Sequence, residues 1–273
     1  MDPIEALRTL TPAELVVAGR AALTSILLSA PRIMAIFLLL PIFSKSAIPG
    51  VVRTGILLGV ILFVWPAVAT SYDPDIVDVI HLAALIAKET LIGGVIGFAV
   101  GALFWGVEAA GFFIDNQRGA AIAGSVDPLS GSDTSPMGIF FLQAYTVYFF
   151  VSGGFLAFLG AVYDSYALWP VMEFWPVLPR DTADFFLAVA DKIMYLMIVF
   201  AGPLIIAMFI AEFGLALVSR FAPQLNVFVL AMPVKSGVAL FVLVLYLPFL
   251  FSYLGESFKD LPSIFGDLYR LLE

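Results

Sequence analysis

The stretch VSRFAPQLNVFVLAMPVKSG, residues 218–237, joins two strongly apolar runs at 193–211 and 236–255. It interleaves basic and amide side chains with Phe, Val, Leu and Met, so it is too apolar for a surface loop and too polar for a membrane helix. The pattern predicts a hairpin tip between helices 193–219 and 234–255 that docks on a protein partner. The alternative, an ordinary charged helix cap, does not explain why apolar residues continue across the tip. The tip residues are Arg220, Pro223, Gln224, Asn226, Phe228, Pro233 and Lys235.

The composition of the chain assigns it to the membrane proteins. Its 273 residues are 62% hydrophobic and only 12% charged, and the mean hydropathy is +1.06. A soluble protein of this size must keep much of its exterior polar, and this chain has too few polar residues to do so. We therefore expect an integral membrane protein, inserted by its own apolar segments rather than by a cleavable signal peptide.

Six hydrophobic segments approach the roughly 20 residues that a spanning helix needs. The fold class predicted from them is an all-α, polytopic membrane protein whose kinked helical hairpins pack against partner subunits. Prolines at 31, 41, 66, 203 and 248 predict the kinks. The fourth segment contains Gly153-Gly154 and is long enough to bend or to form two helices. The segments are 21–43, 54–72, 90–107, 134–163, 193–211 and 236–255.

A few ionisable residues lie in or beside these segments. Arg32 lies well inside the first segment, where a charge is costly unless it faces protein or water. Glu108 and Glu212, at segment edges, are predicted with Arg32 to be intramembrane charges, and Lys88-Glu89 is also expected at a segment edge. Such acids near apolar helices are candidates for a proton relay through Glu108, Asp115 and Glu212.

Glycines 93, 97 and 101 form a small-residue stripe along one helix face. A stripe of this kind lets helix backbones approach closely. The pattern leaves open whether the neighbouring helix belongs to the same chain or to another subunit.

Several classes of chemistry are poorly supported. The chain has no cysteine and one histidine, His81, which excludes disulfides and thiolate sites and leaves little basis for a zinc site or a Ser-His-Asp hydrolase. A net charge of −8 argues against nucleic acid as a partner. We expect no catalytic residue, no cofactor and no metal site.

The most polar internal stretch is EAAGFFIDNQRGAAIAGSVDPLSGSDTSPMG, residues 108–138. Its Asp-Pro and Ser-Gly pairs and its glycines predict a loop, and the interleaved apolar residues favour an ordered, packed loop over a disordered one. Asp115 and Asp127 could in principle bind a metal or act as acid and base, but the spacing is not specific. An ion pair of Asp115 or Glu108 with Arg118 that fixes the loop is the favoured interpretation.

The connectors differ in charge. Residues 43–53 and 220–235 carry only positive charge, whereas 73–89, 108–133 and 164–192 are net acidic. Loops rich in Lys and Arg remain in the cytoplasm. The first two connectors are therefore predicted to be cytoplasmic.

Three stretches together resemble the SctT/FliR family of the type III secretion and flagellar export apparatus. They are RIMAIFLLLPIFSKSAIPGVVR near the N-terminus, DNQRGA followed by DP and SPMG in the centre, and MFIAEFGLALVSRFAPQLNVFVLAMPVKS. The likeness covers nearly the whole chain. The RFAPQLNVF and NQRGA strings favour the injectisome SctT branch over flagellar FliR.

The resemblance implies a structural, non-enzymatic subunit of the export gate at the centre of the secretion machine's inner-membrane base. Family members assemble with SctR and SctS, near the switch protein SctU and the export protein SctV. Unfolded effector and needle proteins pass through the assembly. The helical hairpins of this family lie largely above the membrane plane, so a count of spans from hydropathy would mislead. A flagellar FliR protein and a proton-coupled transporter working alone are the alternatives.

The resemblance also implies a division of the chain and a set of gate residues. One export-gate domain would comprise helical hairpins in 1–107, a plug-like loop in 108–138, a long helical segment with an acidic loop in 139–192, and a C-terminal hairpin and tail in 193–273. The paired phenylalanines would help to seal the channel by excluding water. The implied plug residues are Phe112, Phe113, Asp115, Asn116, Gln117, Arg118, Gly119, Asp127 and Pro128.

Overall fold

The computed structural model describes residues 11–44, 48–69, 79–119, 135–173, 182–222, 224, 226–259 and 266. All regular secondary structure in these ranges is helical, which confirms the all-α prediction. A short 3-10 turn, Pro41–Phe43, follows the first helix. The helices are α1 (Pro12–Leu39), α2 (Gly50–Ala69), α3 (Val79–Arg118), α4 (Pro136–Val151), α5 (Gly154–Leu168), α6 (Thr182–Phe221) and α7 (Val227–Lys259).

The helices reproduce the predicted membrane segments. Within the described ranges, α1, α2, α3, α6 and α7 are long and apolar enough to cross a membrane, and the pair α4–α5 could form a sixth span. The break between α4 and α5 falls at Ser152 and Gly153, and the positive φ of Gly153, +81°, is a conformation that glycine adopts without strain. The expectation that 134–163 contains more than one helical piece is therefore confirmed.

The five prolines that predict kinks lie inside helices or at the start of one. Pro31, Pro66, Pro203 and Pro248 lie inside α1, α2, α6 and α7, and Pro41 begins the 3-10 turn.

The chain forms two compact units. The first comprises Met1–Gly101, Phe158–Arg180 and Phe265–Glu273, and the second comprises Ala102–Ala157 and Asp181–Ile264.

In the first unit, α1 packs against α2 and against the part of α3 that precedes residue 102. A Cβ atom at Gly93 would overlap the backbone of Arg32, and one at Gly97 would lie 3.0 Å from the Cα atom of Ile36. These two glycines of the stripe therefore serve packing within the chain. Around Ile36 the α1 side of the contact is apolar and buried, and the rings of Phe37 and of Phe43 in the 3-10 turn stack with 3.9 Å between their centroids.

In the second unit, α6 and α7 pack against each other. Tyr246 of α7 donates a hydrogen bond to the carbonyl oxygen of Val199 at 3.3 Å, and the rings of Phe200 and Tyr253 meet edge to face at 5.8 Å. The tip between the two helices is shorter than predicted, because α6 continues to Phe221 and α7 begins at Val227.

Pro233 is a second correction at the tip. It lies inside α7 rather than in a turn. Asn226 precedes α7 and its carbonyl oxygen accepts a hydrogen bond from the backbone N–H of Leu230 at 3.2 Å, so the helix is established before the proline is reached. Pro233 is the seventh residue of α7, past the first turn whose N–H groups lack a helical acceptor, so it leaves the carbonyl oxygen of Val229 without its usual helical donor.

The second unit also contains a close crossing of α3 and α4. Phe104 of α3 contacts the rings of Tyr145 and Phe149 edge to face, at 4.7 and 5.3 Å between centroids. At Gly111 a Cβ atom would overlap the backbone of Met137 and Gly138. The end of α3 thus packs against the beginning of α4 with the two backbones in direct contact.

Candidate functional site

The α3 helix continues through most of the predicted plug. Residues 108–118 are helical, so the plug-like loop does not begin at 108, and residues 136–138 already belong to α4. No proline interrupts 79–118, and Gly111 is held in the helix by its contact with α4. The helix ends at Gly119, whose φ of +86° is the left-handed conformation that commonly closes a helix. The prediction of a loop around Phe112 and Asp115 is therefore wrong.

Asp115 connects the end of α3 to the beginning of α4. Its Oδ2 atom accepts hydrogen bonds from the Oγ of Ser135 at 2.6 Å and from the backbone N–H of Met137 at 3.0 Å. The Ser135 Oγ in turn accepts a hydrogen bond from the N–H of Gly138 at 2.9 Å and so caps α4. A negative charge at this position also interacts favourably with the α4 dipole.

Arg118 completes this cluster. Its Nε atom lies 2.7 Å from the Oδ1 of Asp115, one helical turn away, although the two atoms are not aligned for a hydrogen bond. The ion pair that the sequence favoured is therefore formed by Asp115. We call Asp115, Arg118, Ser135 and Met137 the Asp115 junction. It fixes the chain immediately before and immediately after residues 119–134.

The paired phenylalanines lie on the outward face of the same helix end. Phe112 and Phe113 are 46% and 41% exposed, whereas Gly111, Ile114 and Asp115 are buried. The two rings form part of a cleft of about 360 Å³ on this face. We call it the Glu108 cleft; its lining residues are Trp105, Glu108, Ala109, Phe112, Phe113, Asn116 and Met197.

The three acids predicted for a proton relay have different environments. Asp115 is paired with Arg118, and Glu212 is paired with Lys235 at 3.2 Å. Glu108 is half-buried in its cleft. No group of three or more His, Cys, Asp or Glu residues that could hold a metal ion occurs in the part of the chain that the structure describes.

The remaining plug residues lie close to the Asp115 junction or outside the described ranges. Asn116 is exposed, while Gln117 and Gly119 are half-buried. A Cβ atom at Gly119 would lie 3.4 Å from the Cγ of Met232 in α7, so the end of α3 meets the first turns of α7. The predicted plug and the predicted tip region are thus brought together here. Asp127 and Pro128 lie outside the described residues.

The tip itself is largely uncovered in the single chain. Arg220, Gln224, Asn226 and Pro233 are exposed, and the adjacent Phe221 is 88% exposed. Two neighbouring apolar side chains at the start of α7, Val229 and Leu230, are exposed as well. Lys235 is half-buried and paired, Phe228 lies within α7, and Pro223 lies outside the described residues.

A buried polar cluster in the first unit was only partly foreseen. Arg32 is completely buried and pairs with Glu89, with Nε–Oε2 and Nη2–Oε1 distances of 2.7 and 3.1 Å. Its guanidinium also donates to the carbonyl oxygens of Ser165 and Trp169 at 2.6 and 3.0 Å and lies 4.0 Å from the ring centre of Tyr166. Of the two environments expected for the Arg32 side chain, protein or water, the structure shows protein.

Lys88 and Glu89 are not edge residues, which corrects the prediction. Because α3 begins at Val79, both lie inside the helix. Lys88 Nζ lies 3.0 Å from the Oε1 of Glu89 and donates to the carbonyl oxygens of Pro170, Val171 and Glu173 at 2.7–3.1 Å. The signal that could have revealed the Arg32–Glu89 pair was that an arginine inside an apolar segment requires a carboxylate partner. Sequence alone gave no sign of Ser165 or Tyr166.

Comparison with known proteins places the chain in a family. The family described as "Bacterial export proteins, family 1" matches residues 23–261. The chain is 47% identical over 228 residues to the Yop proteins translocation protein T of Yersinia pestis, which covers 83% of this chain and 87% of that protein.

Two further relatives extend the comparison. The surface presentation of antigens protein SpaR of Salmonella typhimurium is 33% identical over 216 residues, or 79% of this chain and 80% of its own length. The flagellar biosynthetic protein FliR of Bacillus subtilis is 28% identical over 232 residues, or 84% and 88%. The predicted resemblance is confirmed, and identity is higher to translocation protein T than to this flagellar protein. With its apolar helices and this match over most of its length, the chain is a multi-pass membrane protein that belongs to family 1 of the bacterial export proteins, the SctT/FliR family.

Proposed function

We propose that this chain is the SctT subunit of a type III secretion export gate in the bacterial inner membrane. In this role it is a structural, pore-forming protein that assembles with SctR and SctS, lies near SctU and SctV, and lets unfolded effector and needle proteins pass. Its relatives' names support the proposal, since the Yersinia protein is named for translocation of Yop proteins. The likeness to that protein favours SctT over flagellar FliR.

The structural observation that carries the proposal is the pair of exposed phenylalanines beside the Asp115 junction. Phe112 and Phe113 are exposed on a helix end whose opposite side is buried. Apolar rings that meet in a narrow aperture exclude water and so block ions and solutes.

The first experiment is co-expression of the tagged chain with the membrane proteins encoded beside it, followed by native mass spectrometry. The expected result is one stable complex that contains this chain with several copies of two other small membrane proteins. A lone monomer or a homodimer would contradict the export-gate assignment.

The second experiment tests the seal itself. Replacing Phe112 and Phe113 by Ala in the assembled complex should make the closed gate leak small solutes. The matched control replaces Phe140 and Phe150, which are equally exposed residues of the second unit at 42% and 45%. Leakage from both double variants, or from neither, would remove the sealing role from Phe112 and Phe113.

A proton-coupled transporter acting alone has less support from the described residues. Asp115 and Glu212 are each engaged with a cation, so only Glu108 is left as a relay carboxylate. Proton flux through the purified chain in vesicles, abolished by Glu108→Gln, would favour the transporter over the gate subunit.

A further inference from the structure

The Glu108 cleft combines a carboxylate with an apolar wall. Along α3, Glu108 lies between Trp105 and the pair Phe112–Phe113, and Met197 of α6 also lines the cleft. At about 360 Å³ the cleft is at the lower end of the size range of ligand pockets. It can take one long side chain more readily than a large molecule.

In the described part of the chain, no basic side chain pairs with the Glu108 carboxylate. Glu89, Asp115 and Glu212 each lie within 3.2 Å of a basic nitrogen. Among the residues that the structure describes, the carboxylate of Glu108 has neither an ion pair nor a hydrogen bond. A carboxylate that is half-buried among aromatic rings loses hydration, and an approaching cation restores the lost interaction.

The residues that follow Glu108 in the sequence cannot provide that cation. Residues 120–134, AAIAGSVDPLSGSDT, contain no Lys, Arg or His. Arg118, the basic residue nearest in sequence, is engaged by Asp115 on the buried side of the helix. Residues 109–134 therefore offer no unengaged basic side chain to pair with Glu108.

We propose that the Glu108 cleft receives a lysine or arginine side chain from a neighbouring subunit of the assembled complex. The head group pairs with Glu108 and the methylene groups lie against Phe112 and Phe113. The exposed aromatic faces favour such a cation, because an ammonium or guanidinium group is attracted to the face of an aromatic ring. This inference rests on the proposed function, since it needs a partner protein, and adds the chemistry by which that partner is recognised.

Charge reversal is the first test. In the co-expressed complex, Glu108→Lys should lower recovery of the partner proteins about tenfold or more, as expected when a desolvated charge pair is replaced by a repulsive one. Glu108→Asp should retain most of the recovery. The matched control is Asp184→Lys, a reversal at an exposed acid of the same unit, which should leave recovery unchanged. Wild-type recovery with Glu108→Lys would overturn the inference.

Photo-crosslinking is the second test and keeps Glu108 intact, so it decides the question even if the charge variant does not fold. A photoreactive phenylalanine analogue at Asn116, an exposed residue of the cleft, should crosslink to a partner peptide that contains Lys or Arg. A crosslink only to lipid, or only to this chain's own segments around Arg8, Lys45, Arg180 or Arg270, would contradict the inference.

The two proposals fail in different ways. A wild-type chain that purifies without partners contradicts the export-gate assignment and this inference with it. A wild-type complex that forms normally, with a Glu108→Lys complex of equal yield, contradicts only the role of the cleft.

Discussion

Arg32 shows what a charged side chain requires inside an apolar helix. Its guanidinium directs hydrogen bonds to a carboxylate and to two backbone carbonyl oxygens, and an aromatic ring lies against it. The planar guanidinium can satisfy all of these contacts at once, whereas an ammonium group has fewer donors and no flat face. The carbonyls of Ser165 and Trp169 belong to the last turn of α5 and the residue after it, where a positive charge also complements the helix dipole.

Replacing Arg32 should therefore be costly. In the Arg32→Met variant, Glu89 stays buried and keeps Lys88 but loses the guanidinium as a cationic partner. We therefore expect a loss of about 3 kcal/mol in the free energy of unfolding. Arg32→Lys should fall between this variant and the wild type. The measurement is denaturation of the purified protein in detergent, with Arg20→Met, an exposed arginine of the same helix, as the control. Equal stability of the Arg32 and Arg20 variants would show that the buried contacts contribute little.

Asp115 acts on the stability of the junction through three partners. Asp115→Ala removes the acceptor for Ser135 and Met137 and leaves Arg118 unpaired, with an expected loss of about 2–3 kcal/mol. Asp115→Asn keeps a carbonyl oxygen for the two donors and should lose about 1 kcal/mol. Thermal unfolding in detergent checks the order, with Asp184→Asn as the control. If Asp115→Asn is as damaging as Asp115→Ala, the charge matters more than the hydrogen bonds.

At the scale of elements, the packing of α3 on α1 depends on one face of small residues. Gly93 faces the Arg32 backbone with no room for a Cβ atom, whereas nothing lies within 4 Å of a Cβ atom at the neighbouring Gly94. Backbone contacts of this kind are favourable in membranes, because helix association there relies on close van der Waals packing. Gly93 therefore has no space for a side chain, whereas the adjacent Gly94 does.

This difference gives a matched pair of variants. Gly93→Ala should destabilise the protein by about 1–3 kcal/mol, because α1 and α3 must separate. Gly94→Ala should be neutral or stabilising by up to about 1 kcal/mol, since alanine is the better helix former. Detergent denaturation of both variants is the measurement. A Gly93→Ala protein as stable as Gly94→Ala would mean that the two helices can move apart freely.

At the scale of the whole molecule, the membrane topology depends on the bent pair α4–α5. Between connectors 43–53 and 220–235 lie α2, α3, the α4–α5 pair and α6. If each crosses the membrane once, the number of crossings is even and both connectors lie on the same side. If the bent pair enters and leaves on one side, the connectors lie on opposite sides.

Cysteine labelling can decide between these topologies, because the native chain contains no cysteine. We expect Val51→Cys and Gln224→Cys, both at exposed positions, to react with an impermeant maleimide from the cytoplasmic side only. Ile206→Cys, in the middle of α6, should stay unreactive in membranes. Labelling of Val51→Cys and Gln224→Cys from opposite sides would contradict the predicted orientation and identify α4–α5 as a re-entrant pair.

The sequence by itself determined the membrane class, the helical segments, the break near Gly153 and an ion pair of Arg118 with either Asp115 or Glu108, of which the structure shows Asp115. These features depend on composition and on residues within one or two helical turns of each other, where spacing is a direct physical constraint. The tertiary structure decided that α3 extends to Arg118, that Asp115 holds the start of α4, and that Arg32 meets Glu89, 57 residues away. The glycine stripe marks one packing face of α3, but the sequence could not show which helix that face meets, and the few charged residues of α3 form no continuous polar face that would identify the sides packed on α1 and α4.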